Sequence, residues 1–259
     1  MLRLVDALAW LVILFLMAPL IIIVGGSFTV TPYVAFPPVG FTLRWYDQLM
    51  HRQDFLDAFL TSLAIAVLTT CIGLVLGTLA AMGMHRHAFP GKQAVEGFLA
   101  SPLILPTLVS GIALLQLYYY IDLNAALIGL VIGHVLITVP YVIRTVGAGL
   151  LGLDPALEEA ASSLGAGPMR ILWRVILPAI SPSIVASSIF VFIMSFDQAT
   201  VSIFLATPDV VPLPVRIYTY IDLAIDPMIA AVSTLMIGFS FILVAVLQKL
   251  IGLEAAFGG

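Results

Sequence analysis

The stretch FLTSLAIAVLTTCIGLVLGTLAAM, from Phe59 to Met82, contains no Asp, Glu, Lys or Arg. A helix rises about 1.5 Å per residue and a bilayer's hydrocarbon core is about 30 Å thick, so a run of this length makes one crossing. Backbone amides in lipid have no water to bond, which leaves the helix as the conformation that satisfies them. The alternating pattern of a barrel strand is missing, because the run is apolar throughout. Working outward, five more stretches qualify: 7–24 with Pro19, 97–120 with Pro102 and Pro106, 125–143 with His134 and Pro140, 183–205, and 228–247. The one charged residue in any of the six is Asp197. The expectation is an all-α membrane protein with six transmembrane helices, forming a single transmembrane domain over residues 1–259. The first stretch also admits a cleaved-signal reading, but its apolar run is long and no small-x-small site clearly follows it.

Composition agrees with this reading. Hydrophobic residues make up 62% of the chain and charged residues 9%, against about 25% charged in a soluble domain. The mean hydropathy is +1.17. A soluble enzyme and a disordered chain are both excluded, the latter because disordered chains lack apolar residues. The lone cysteine, Cys71, leaves no disulfide framework and no cysteine-based zinc site. A net charge of −4 leaves no basic surface for nucleic acid.

Basic residues orient the chain. With six crossings the termini share a side, and that side collects Arg3, Arg86, Lys92, Arg144, Arg170, Arg174 and Lys249, while Arg44, Arg52 and Arg216 fall opposite. Seven against three places both termini in the cytoplasm. The outer connections carry Asp47, Asp54, Asp57, Asp122, Asp209, Asp222 and Asp226, a mildly acidic face.

One inner connection, residues 147–182, reads GAGLLGLDPALEEAASSLGAGPMRILWRVILPAISP. Asp154-Pro155 is a helix start, with a side-chain acceptor at the cap and a proline where no amide hydrogen is needed. Leu157, Ala160, Ala161 and Leu164 recur at helical spacing, and Glu158 and Glu159 sit near the positive end of the helix dipole. Gly165 is a left-handed stop. Gly167-Pro168 opens an amphipathic helix with Arg170 and Arg174 on one face, ended or kinked by Pro178. Such a short projecting helix either fits a groove of another protein or merely joins two crossings.

Glu159-Ala160-Ala161, then Gly165, then Val175-Ile176-Leu177-Pro178 resembles the EAA loop of ABC importer permeases, with Val175 where isoleucine is usual. Phe36-Pro37-Pro38, Phe41, Trp45-Tyr46, Ser195-Phe196-Asp197-Gln198, Phe204-Leu205 and the run Leu213 to Tyr218 are similar to the spermidine/putrescine subfamily of these permeases. The resemblance implies a bacterial inner-membrane, multi-pass permease with the type I ABC importer fold. It implies an ATPase-coupling helix with Glu159, Ala160, Ala161, Leu164 and Gly165 at the contact. It implies two ATPase subunits as partners, a second and homologous permease, and a periplasmic substrate-binding protein. No cofactor belongs to this chain; ATP and Mg are expected on the partner ATPase. In agreement, no G-x-x-x-x-G-K-[ST] phosphate loop occurs: Gly91-Lys92 is followed by Gln93, and Arg86 stands at the first glycine's place. The cargo implied is a polyamine or related amine.

Asp197 at mid-span costs about 2.5–3.5 kcal/mol on insertion scales, so it is expected to face protein or a water-filled cavity. It either lines the substrate path with Gln198, attracting an amine, or serves as a structural partner. Tyr118, Tyr119 and Tyr120 form an interfacial belt or a stacking surface for an amine. His134 is an interhelical contact or a path residue. His85 and His87 lie in a solvated basic loop, a weak metal pattern. Gly73 and Gly77 suit close packing, within the chain or against another permease. The prolines of the crossings are static kinks or flex points. An ion-coupled secondary transporter is the alternative function, although one intramembrane acid is thin provision for ion coupling.

Overall fold

The computed structural model describes residues 2–224 and 226–251, with side-chain environments for 5–6, 8–224 and 226–246. The side chains of Arg3 and Lys249, both used for the orientation above, lie outside the described ones. The described residues are helical apart from connections and an isolated bridge between Thr207 and Val210. In chain order the helices are α1 (Leu2–Gly26), α2 (Arg44–Met50), α3 (Gln53–Arg86), α4 (Lys92–Ala100), α5 (Thr107–Tyr120), α6 (Ala126–Leu151), α7 (Pro155–Ser163) and α8 (Pro168–Ile171). A π turn over Leu172–Ile176 follows, then α9 (Leu177–Ala179), α10 (Ser181–Phe196), α11 (Thr200–Leu205), α12 (Leu213–Leu223) and α13 (Pro227–Ile251).

Four segments are unbroken and apolar enough to cross a membrane: Leu8–Gly26, Gln53–Arg86, Ala126–Leu151 and Pro227–Val246. Two more candidates are bent pairs. Lys92–Leu103 meets Thr107–Tyr120 at 101°, and Pro168–Ala179 meets Ser181–Phe196 at 65°. Among the described residues there are therefore four to six candidate crossings, and two sequence expectations need correction. Stretch 97–120 is not one helix, because Pro102 and Pro106 lack amide hydrogens: Ser101–Leu103 tightens to a 3₁₀ turn and Pro106, at ψ 130°, caps α5. Stretch 183–205 is not one helix either. It stops at Phe196 and resumes at Thr200, because Gln198 offers its side-chain oxygen to the amide of Thr200 at 3.2 Å. That local bond replaces a helical one.

By contacts the chain divides into two compact units. One joins the chain up to Phe59 to Leu213–Leu243. In it the indole of Trp45, 5% exposed, donates to the carbonyl of Thr29 at 2.8 Å, and Phe28 stacks on Phe41 at 4.7 Å. The Pro-rich loop after α1 is thus folded around its aromatics.

The other unit is built on Leu60–Pro212. Its central element is α6, which packs on α10, while α11 packs on α5. One apolar cluster holds Ile65, Leu114, Leu130, Ile137, Val201 and Leu205. A second holds Ala81, Val142, Val146, Ile176, Ile180 and Val191. Gly77 decides how closely α3 lies on α6: a Cβ there would stand 2.5 Å from Val142 Cβ. The small-residue face is therefore used at Gly77 for packing within the chain.

Candidate functional site

The segment after α6 folds as its residues dictate. Asp154 Oδ1 accepts from the amide of Ala156 at 2.9 Å, and Pro155 occupies the first helical position of α7. At the other end Gly165 takes φ +79°, its amide donates to Ser162, and Ala166 donates to Ala161. That pair of bonds is a Schellman closure, which a residue with a side chain resists at positive φ. So α7 is sharply started and sharply stopped. No residue of it is buried, and Leu164 just beyond it is 89% exposed. Met169 and Trp173 add exposed apolar surface from the next helical stretch.

The two adjacent glutamates do different things. Glu158 Oε2 receives Arg86 Nη2 at 2.6 Å, tying α7 to the last residue of α3 across 72 positions of sequence. Glu159 is exposed and has no ion-pair partner among the described residues. Ala160 is exposed beside it and Ala161 half-buried. Glu159, Ala160, Leu164 and Gly165 are each exposed. The Arg86–Glu158 pair was not read from the sequence; an arginine ending a crossing and a spare glutamate on a short helix was the available signal.

The residues proposed for a path are spread out. Asp197 is not mid-helix: it caps the C-terminus of α10 and is exposed from this chain. Gln198 is spent on α11, its side chain bonding Thr200 and its carbonyl accepting from Ser202 Oγ at 2.6 Å. Tyr118 donates its hydroxyl to the carbonyl of Gly129 at 2.9 Å, and its ring packs on the α5–α6 core. Tyr118, Tyr119 and Tyr120, with Asp122 and Asp209, border a cavity of about 920 Å³ where α5 ends and α6 begins, and Asp197 is not among its lining residues.

His134 is settled by its surroundings. It is 1% exposed, with Nδ1 2.8 Å from Ser195 Oγ and Nε2 2.9 Å from Ser202 Oγ. The ring bridges α6 to both sides of the α10–α11 break, so it is a buried interhelical contact. No group of three or more His, Cys, Asp or Glu that could hold a metal occurs among the described residues.

Near the start of α3, Arg52 grips Asp54 with two bonds of 2.8 and 2.9 Å and lies over the rings of Phe55 and Tyr220. Tyr220 donates to Asp226 Oδ2 at 2.8 Å, and Asp226 Oδ1 accepts from the amide of Met228 to start α13. Burial first, and then the Asp226 carboxylate, push the Tyr220 phenol up to about 12.

α7 is thus exposed and tied to the end of the apolar helix α3. Residues 73–253 match the family described as binding-protein-dependent transport system inner membrane component. The chain belongs to this family. The permease is also 33% identical over 243 residues to the spermidine/putrescine transport system permease protein PotC of Haemophilus influenzae, covering 94% of each chain. It is 29% identical over 231 residues to the putrescine transport system permease protein PotI of Escherichia coli, covering 86% of this chain and 82% of that one. In fold the permease matches a chain of a bacterial ABC transporter involved in the import of the acidic polysaccharide alginate, with a TM-score of 0.79 at 19% identity, covering 96% and 95%. Its architecture is thus that of type I ABC importer permeases, and the permease is a multi-pass inner-membrane protein.

Proposed function

We propose that this permease forms half of the translocation path of an ATP-driven importer for a polyamine or related amine. A periplasmic binding protein delivers the solute, and ATP is hydrolysed on separate subunits. The cargo class rests on the names of the relatives, spermidine/putrescine and putrescine permeases, that span most of this chain. The observation that carries the coupling reading is α7 itself. It is capped at both ends, has no buried residue, and leaves Glu159 and Leu164 open to a partner.

In this reading two ATPase subunits bind α7 and its counterpart on a second, homologous permease. Closure of the ATPases around ATP moves α7, and the crossings shift between inward- and outward-open states whose free energies lie close together. Both termini face the cytoplasm, on the side of α7, as the basic residues indicate. Co-expression with candidate ATPase chains tests the coupling: an ATPase should co-purify with the permease, and Glu159→Lys should abolish that association while leaving membrane insertion intact. Uptake of labelled putrescine and spermidine into proteoliposomes of the full assembly tests the cargo.

A further inference from the structure

A second cavity, of about 470 Å³, opens where the last turns of α3 meet α4 and α6. Its polar wall carries His85, Lys92 and Arg144, with Glu96 as its carboxylate; its apolar wall includes Leu99 and Ile143. Lys92 Nζ holds Glu96 only loosely, at 4.0 Å, and Arg144 has no ion-pair partner among the described residues. Two fixed cations against one carboxylate leave the cleft net positive. The cleft lies at the same end of α3 as the Arg86–Glu158 pair.

The helix that walls it is built for a membrane surface. α4 has no buried residue and its Phe98 is 76% exposed, while Ile104, just past the 3₁₀ turn that follows it, is 83% exposed. The segment bends 101° away from α5, so α4 does not continue α5's course through the bilayer, and its exposed apolar side chains suit the interface. An amphipathic helix lying in the interface, with basic groups in a cleft behind it, suits a molecule whose head is anionic and whose body is apolar.

We propose that this cleft binds an anionic phospholipid of the adjacent leaflet, with Arg144 and Lys92 on its phosphate and Leu99 and Ile143 against its acyl chain. The site requires the membrane reading alone; it does not depend on the cargo or on ATPase coupling. A soluble anion would use the cations and leave the apolar wall bare.

The full chain, reconstituted in nanodiscs of phosphatidylcholine with phosphatidylglycerol and then released for native mass spectrometry, should retain phosphatidylglycerol over phosphatidylcholine. Arg144→Gln and Lys92→Gln should each reduce that retention about fivefold, the worth of one basic group near an anionic surface. Glu96→Gln removes the opposing carboxylate and should raise it, which keeps the test informative where a cation variant folds poorly. Equal retention in wild type and the cation variants overturns the proposal. So does complete displacement of the lipid by inorganic phosphate, which would make this a free-anion site. Loss of a co-purifying ATPase in the cation variants with lipid retention unchanged also overturns it, and assigns the cleft to protein docking.

Discussion

Arg86 closes on Glu158 at 2.6 Å, joining the end of the long α3 to the short helix α7. Each side chain is about a third exposed, at 35% and 36%. An exposed pair of this kind contributes about 0–1 kcal/mol to stability. Its proposed role is mechanical: in the coupling reading, a displacement of α7 is passed to α3 through this contact.

Reversing the charge at one end should therefore uncouple without unfolding. Arg86→Glu is expected to change the melting temperature little and to lower the solute moved per ATP hydrolysed. The exchanged pair, Arg86→Glu with Glu158→Arg, should restore much of that ratio. Uptake and phosphate release measured together in proteoliposomes check it; a swap no better than the single variant would remove the contact from the transmission.

The two ends of α7 make separate demands. Asp154→Ala removes the acceptor for Ala156 and should cost about 1 kcal/mol of local helix stability. Gly165→Pro is more severe, since proline holds φ near −65° where the chain needs +79°, and it deletes the amide bonded to Ser162. It should abolish transport and ATPase association with insertion intact. Co-purification and uptake together read the difference between the two variants.

His134→Leu should destabilise the fold. The hydroxyl of Ser195 would lose its partner in a dry interior, at a cost of about 1–3 kcal/mol. Ser202 still donates to the Gln198 carbonyl and would suffer less. Thermal unfolding in detergent should show the drop, and His134→Gln should recover part of it.

Asp197→Asn probes the path. The residue stands exposed at a break between two helices, where a carboxylate can meet solvent or a second permease chain. Uptake of an amine solute is expected to fall with assembly unchanged. Unaltered uptake kinetics would return Asp197 to a helix-capping role.

Tyr220 sets an alkaline limit. Its phenol is pushed from the ordinary value of 10 up to about 12 in the folded protein. Between those values the unfolded chain loses its proton first, so this contribution is complete below pH 10 and fades as pH rises toward 12. Melting temperatures between pH 9 and 12 should fall less steeply in Tyr220→Phe than in the wild-type protein.

The amino-acid sequence by itself determined the solvent of this protein and the boundaries of α7. Continuous apolar runs leave only helices, and Asp154-Pro155 and Gly165 act within a few residues of the groups they satisfy. Pro102 and Pro106 read from the sequence as kinks or flex points of one crossing, whereas the structure makes them a break of 101°. Tertiary structure decided the rest, because the deciding bonds join distant residues or compete with the helix. Stretch 183–205 breaks where the side chain of Gln198 takes the amide of Thr200, a local bond that competes with the helix and that apolar periodicity does not reveal. His134 acquires its role from serines 61 and 68 positions away, and Arg86 from a glutamate 72 positions away. Periodicity along one helix carries no record of which face of another it will meet, since that depends on how closely residues such as Gly77 let the backbones approach.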